Sequence, residues 1–250
     1  MNNFNLEKIL NEFLDIKNIK DYCPNGLQVQ GRSDIKNIIL GVTACEDLID
    51  VAIRENADAL IVHHGYFWKN ESSVITKMKY HRISKLIKND INLFAYHLPL
   101  DISKDVGNNV EFAKSLNLII NGPLPDNNVI LSACTEAPEN IEQFVKRLNL
   151  LLGRDALLIS PDNKSKQITK VAICTGGGQD FIDLAADNEF DLFISGEISE
   201  RTYHIAKERN IYYCAAGHHA TETFGVDSLS NWLQSNLKLN AKFVDIKNPV

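Results

Sequence analysis

Residues 36–65 and 169–198 match at an offset of 133, and this internal repeat constrains the fold more than any other feature of the chain. Asp47 falls on Asp180, Ile49 on Ile182, Asp50 on Asp183, Ala52 on Ala185, Asp58 on Asp191 and Ile61 on Ile194. The first copy opens on Ile38-Ile39-Leu40-Gly41-Val42, an apolar run that reads as a buried strand. A helical stretch with Leu48, Ile49, Val51 and Ala52 follows, then a second buried strand, Ala59-Leu60-Ile61-Val62. A helix with Tyr80, Ile83, Leu86 and Ile87 leads to a third strand, Asn92-Leu93-Phe94-Ala95-Tyr96. After a helix holding Ile205 and Ala206, the second copy echoes that strand at Asn210-Ile211-Tyr212-Tyr213. Strands alternating with helices predict an α/β fold with mostly parallel sheets. The repeat predicts two related α/β/α layered units from an internal duplication; the plainer alternative is two α/β segments alike by chance.

The remaining segments fit around this frame. Leu6, Ile9, Leu10 and Phe13 mark an amphipathic helix over residues 5–16. Pro24-Asn25-Gly26 signals a turn. Residues 121–128 are a loop or boundary, which predicts units at 1–125 and 126–250. A strand at 129–134, a helix with Ile141, Phe144, Val145 and Leu148, and an exposed loop at 161–166 are expected next. A helix holding Val226, Leu229, Trp232 and Leu233 and a strand at 241–246 close the chain.

Charge and composition exclude several classes. With 26 basic and 32 acidic residues the net charge is −6, which argues against DNA binding through a basic surface. A local site for a small phosphorylated ligand remains open. No apolar run approaches the roughly 18 residues of a membrane span. The first residues have neither a basic start nor an apolar core, so no signal peptide is visible. Five cysteines without a Cys-x-x-Cys suit a reducing compartment. The expectation is a cytoplasmic protein without membrane association.

Five of the seven histidines gather where an α/β sheet binds ligands, at the carboxyl ends of strands. His63 and His64 end the second strand and His97 the third, with Asp101 just beyond; His218, His219 and Glu222 follow the matching strand of the second copy. On a helix starting near His218, positions i and i+4 share a face, so His218 and Glu222 converge. Successive strand side chains point to opposite faces, so His63 and His64 read as ligands of different ions in a close pair. In a continued strand His97 and Asp101 would stand about 13 Å apart. Pro99 breaks that strand, which favours Asp101 as a ligand and His97 as a neighbour or substrate contact.

The candidate metal set is therefore His63, His64, Asp101, His218 and Glu222. Two divalent cations against two carboxylates leave a net +2 for hydroxide and an anionic substrate, as in two-metal hydrolases. Water bound there ionises near neutral pH. Donors without cysteine suit Zn, Mn, Fe, Co or Ni. Singly, a His-His pair reads as a hydrogen-bonded turn and an i, i+4 pair as a surface ion pair; their joint arrival at equivalent strand ends favours metal. Glu197 matches His64 in the repeat and joins His97 as a catalytic acid/base candidate. Thr175-Gly176-Gly177-Gly178-Gln179 reads equally as a phosphate cradle at a helix start or as a tight turn. Cys23 is a weak nucleophile candidate, His219 a neighbour, and His81 and His204 helix residues, with His204 close enough to Glu197 to line a cleft.

Tyr22-Cys23-Pro24-Asn25-Gly26-Leu27-Gln28-Val29, Val62-His63-His64-Gly65, His97-Leu98-Pro99-Leu100-Asp101, Gly107-Asn108-Asn109, Cys174-Thr175-Gly176-Gly177-Gly178 and Gly217-His218-His219-Ala220-Thr221-Glu222 together resemble the YbgI type of the Nif-three-like family, often labelled GTP cyclohydrolase 1 type 2 homologs. The resemblance runs from about residue 6 to residue 249. It implies two related α/β/α units, the short form without an inserted domain, toroidal homohexamers and two metal ions per subunit. It implies that His64 and Asp101 hold one ion, His63 and His218 the other, and that Glu222 bridges both. The expected function is a dinuclear metal-dependent hydrolase acting on a small phosphorylated or heterocyclic substrate such as a nucleotide. The alternative is a non-catalytic metal-binding toroidal scaffold that binds protein partners or buffers metal.

Overall fold

The computed structural model describes residues 1–162 and 165–250. Residues 163 and 164, within the loop expected at 161–166, lie outside the described residues. The chain begins α1 (Asn3–Phe13), β1 (Gly26–Val29), β2 (Asn37–Thr43), α2 (Glu46–Arg54), β3 (Ala59–His64), α3 (Lys77–Lys88), β4 (Asn92–Ala95) and α4 (Leu98–Ile102). It continues α5 (Asn108–Ser115), β5 (Ile119–Leu124), β6 (Asn127–Asn140), α6 (Ile141–Leu152), β7 (Leu157–Ile159), β8 (Gln167–Cys174), α7 (Ile182–Asp187) and β9 (Leu192–Ser195). It closes α8 (Glu200–Glu208), β10 (Tyr212–Ala215), α9 (His218–Thr221), α10 (Thr223–Leu237) and β11 (Asn240–Phe243).

Two units form. One holds Met1–Val106 and Val226–Ile246, the other Gly107–Gly225 and Lys247–Val250. This differs from a cut at residue 125/126, and strand pairing gives the reason. β5 pairs antiparallel with β6, so residues 121–128 turn a hairpin inside one sheet. β11 adds in parallel to β2, which returns residues 226–246 to the first unit.

The first unit is a sheet ordered β1-β4-β3-β2-β11 among the described residues, parallel except for β1. Alternation along β2 decides its two faces: Ile38 and Leu40 pack with Leu6, Leu10, Leu229 and Leu233, whereas Ile39 packs with Leu48, Ile49, Ile83 and Leu86. Apolar strands buried on both faces are what a parallel sheet between helices requires. The stripe of α3 is rotated from the sequence expectation. Ile83 and Leu86 are buried, together with Lys79, while Tyr80 and Ile87 face solvent.

The second unit is a sheet ordered β5-β6-β8-β9-β10-β7, with β8, β9 and β10 parallel. Phe112, Phe144, Leu148, Val171 and Ile194 fill one side, and Ile182, Ala185, Phe193, Ala206 and Tyr213 the other. The duplication holds at the level of register. Ile38 pairs with Ala59 and Leu40 with Ile61. At an offset of 133, Val171 pairs with Leu192 and Ile173 with Ile194. Among the described residues no helix is long and apolar enough to cross a membrane.

Candidate metal centre

In the first unit β3 and β4 run parallel with Val62 opposite Ala95, so their carboxyl ends lie side by side. His63, with 0% of its surface exposed, sets Nδ1 2.9 Å from the Tyr96 carbonyl oxygen. A carbonyl only accepts, so Nδ1 carries the proton and Nε2 of the neutral ring carries the lone pair. That Nε2 lies 3.4 Å from Oδ1 of Asp101, which is 5% exposed. A buried lone pair facing a buried carboxylate calls for a cation, either a second proton on the ring or a metal ion. Asp101 arrives there because the chain leaves β4 at His97 and turns into α4, whose Asp101 N–H donates to the His97 carbonyl at 3.2 Å.

His64 ends β3, with Nδ1 3.3 Å from Thr43 Oγ1. Its ring and that of His63 are 4.5 Å apart at 42°. Strand alternation therefore does not separate these imidazoles; with His97 they offer ligand atoms all within 4.8 Å of one another. The His97 ring is held from behind. Its Nδ1 lies 2.9 Å from Oδ1 of Asp21, and its backbone N–H donates to Asn25 Oδ1 at 2.7 Å. Asp21 also accepts from the Tyr22 N–H, the Leu98 N–H and the Asn25 amide. Burial alone would raise the Asp21 pKa. Hydrogen bonds from His97 and Asn25, with the attraction of the His97 ring, outweigh burial and hold this carboxyl well below the usual carboxylate range.

In the second unit α9 starts at His218, directly after Gly217 at φ +102°. His218 Nε2 lies 3.1 Å from Oε1 of Glu222, four residues on, and Nδ1 lies 2.6 Å from Oε1 of Glu197. Burial would lower the pKa of this ring, but Glu222 and Glu197 outweigh it and push it up to about 9. Glu222 is 2% exposed. The glycine run wraps its carboxylate: Gly176 sits at φ +65°, and a Cβ there would overlap Glu222 Oε1. The run is a tight turn rather than a phosphate cradle, because the Gly176 and Gly178 N–H groups already donate to Thr221 Oγ1 and Ser195 Oγ.

A family model described as Duf34/NIF3 (NGG1p interacting factor 3) matches residues 1–249. The chain belongs to the Duf34/NIF3 family. A Vibrio cholerae relative named "GTP cyclohydrolase 1 type 2 homolog" is 51% identical, with both chains fully covered. A solved structure described as protein ybgI, of unknown function, superposes with a TM-score of 0.97 at 45% identity over the whole of both chains. A Thermus thermophilus protein does so at 0.91 with 31% identity, again over both whole chains.

Imidazole nitrogens and carboxylate oxygens without thiolate fit a divalent transition metal in this Duf34/NIF3 chain. His219 is buried beside His218 and donates its backbone N–H to the Val250 carbonyl at 3.0 Å. His204 does not line a cleft with Glu197; it pairs at 3.1 Å with Glu200 on the exposed face of α8. Cys23 is a poor nucleophile: burial, with the charges of Asp21 and Asp101, pushes its thiol up to about 12. Sequence reasoning missed Asp21. Its signal was its place directly before Tyr22-Cys23-Pro24-Asn25-Gly26, a turn whose Asn25 fastens both Asp21 and His97.

Proposed function

We propose that the chain is a metal-dependent hydrolase acting on a small phosphorylated or heterocyclic compound, with nucleotides as the class to test first. Two divalent cations per chain would be held by His63, His64 and Asp101 of the first unit and by His218 and Glu222 of the second. The observation that carries this reading is the buried face-to-face arrangement of His63 Nε2 and Asp101 Oδ1, with the His63 proton committed to Tyr96. The name borne by the Vibrio cholerae relative supports the substrate class. When bound, such ions supply activation of water and stabilisation of developing negative charge.

The chain's own residues supply the rest. Asp21 fixes the His97 proton on Nδ1, so Nε2 is the atom that takes and returns a proton. Glu197 likewise holds the His218 proton on Nδ1, which leaves Nε2 for a cation, and its carboxylate is a further group for proton transfer. Homohexameric assembly belongs to the same proposal and is checked by sedimentation.

The test is turnover of a nucleotide panel by metal-loaded protein, compared with Glu222→Ala. Hydrolysis that requires metal and Glu222 is expected. Full metal loading with no turnover across the panel would replace the enzyme with the scaffold reading.

A further inference from the structure

The loop between β3 and α3 holds a conformation that stability alone does not favour. Phe67 sits at φ +67°, a left-handed backbone that a bulky side chain rarely adopts and that persists only where the surroundings over-determine it. Glu71 Oε2 accepts the N–H groups of Phe67 and Trp68 at 2.6 and 3.2 Å. Glu71 Oε1 pairs with Lys79 Nζ at 3.2 Å. Lys79 is itself buried at 8% exposure; its Nζ donates to the Ser72 carbonyl and lies 4.5 Å from the Phe67 ring centroid. From the other side Gln28 accepts the Tyr66 N–H at 2.7 Å and donates to the Tyr66 carbonyl at 3.0 Å. The Lys69 N–H donates to the Tyr22 carbonyl at 2.9 Å, which ties this loop to the segment that carries Asp21.

A left-handed phenylalanine and a buried lysine are both unfavourable by themselves. What they hold in place is Trp68. Its ring stands edge-on to His97 at 4.9 Å and 86°, and 5.8 Å from His64. Tyr22, 53% exposed, lies 5.0 Å from His97 and 5.8 Å from Trp68. Two large aromatic rings, Trp68 on the clamped loop and Tyr22 on the segment tied to it, thus stand beside a candidate proton carrier, and Trp68 also stands beside a candidate metal ligand. Rigid aromatic surface at the edge of a polar site is what binds the π-face of a flat ring, whichever heteroatoms that ring carries.

We propose that Trp68, with Tyr22, is the stacking wall that takes the planar heterocycle of the substrate and so determines which substrates enter. This rests on the proposed function for its placement of substrate beside His64 and His97, but binding can be read without turnover. The wall makes the ring, rather than a sugar or phosphate, the feature that Trp68 recognises.

Trp232 stacks on Phe13 at 3.9 Å, so Trp232→Phe leaves Trp68 as the sole indole reporter. The full metal-loaded chain is titrated with guanosine, guanosine 5′-monophosphate and ribose 5-phosphate, following fluorescence. Saturable quenching by the first two and none by the third is expected. By calorimetry, Trp68→Ala weakens guanosine 5′-monophosphate binding by at least about tenfold, whereas Trp68→Phe weakens it less than about threefold. Equal quenching by ribose 5-phosphate, or unchanged affinity in Trp68→Ala at unchanged metal content, overturns the proposal. Trp68-dependent binding without hydrolysis of any nucleotide keeps the wall and removes the hydrolase. Glu222-dependent hydrolysis with KM unchanged in Trp68→Ala does the reverse.

Discussion

Asp58 and Asp191 do the same work in the two units. Oδ2 of Asp58 accepts the N–H groups of Lys36 and Asn37, both at 2.9 Å. Oδ2 of Asp191 accepts those of Thr169 and Lys170, at 2.9 and 3.0 Å. Each carboxylate anchors the start of one strand from the turn before the next, and the four donors keep the offset of 133. Asp58→Ala and Asp191→Ala leave paired donors without their charged acceptor, which costs about 1–3 kcal/mol. Urea unfolding of each variant is expected to show that loss; a change below the error of the extrapolation in both would deny the equivalence.

Gly176 and Gly177 are adjacent but differ in what they tolerate. A Cβ on Gly176 overlaps Glu222 Oε1 at a backbone φ of +65°, whereas one on Gly177 meets nothing nearer than 3.7 Å. Gly176→Ala is therefore expected to displace the Glu222 carboxylate and lower metal affinity by about 10–100-fold. Gly177→Ala is expected to leave metal content unchanged. Elemental analysis after dialysis against defined metal concentrations separates the two, and equal behaviour would remove Glu222 from the ligand set.

The Tyr22 and Leu98 N–H groups, the Asn25 amide and the His97 ring all donate to the Asp21 carboxylate, so an amide in its place presents the wrong partner to at least one of them. Asp21→Asn is expected to lower kcat by about 100-fold or more with KM little changed, because His97 loses its fixed tautomer. A matching rise in KM with kcat intact would assign Asp21 to binding instead.

The same residue predicts an acid limb in stability. The folded Asp21 carboxyl is held below its unfolded value, about 3.9. Its contribution is therefore complete above that value and is lost as pH falls toward the folded one. The stability gap between wild type and Asp21→Asn should be full at pH 6 and narrower at pH 3. A gap that widens toward pH 3 has the wrong sign for a depressed carboxyl.

Cys23 should behave as a protonated thiol. With its pKa pushed up to about 12, its alkylation rate is expected to keep climbing through pH 10, read by mass spectrometry of the peptide that holds it. A plateau below pH 9 would mark a thiolate and reopen a nucleophilic role.

Much of the fold was legible before any coordinates. Apolar runs such as Ile38 to Val42 and Ala59 to Val62 are dictated by burial on both sheet faces, a local demand that leaves a local pattern. Candidate donors at strand ends were legible too, since sheet polarity sends loops and ligands to one edge. The hairpin at residues 121–128 was not, because Gly-Pro-rich turns within a sheet and linkers between units share a composition. Asp21 was not, because its role depends on a ring 76 residues away.

By itself the amino-acid sequence determined the repeated β-α-β-α-β pattern and the kinds of side chain available at the strand ends, since both follow from periodicity and order along the chain. Only the tertiary structure decided which atoms meet. It brought His63 to Asp101, set Asp21 behind His97 and closed Gly176 over Glu222. Such pairings depend on strand order and on loop paths, and a difference of one or two ångströms, invisible to residue spacing, separates a ligand from a bystander.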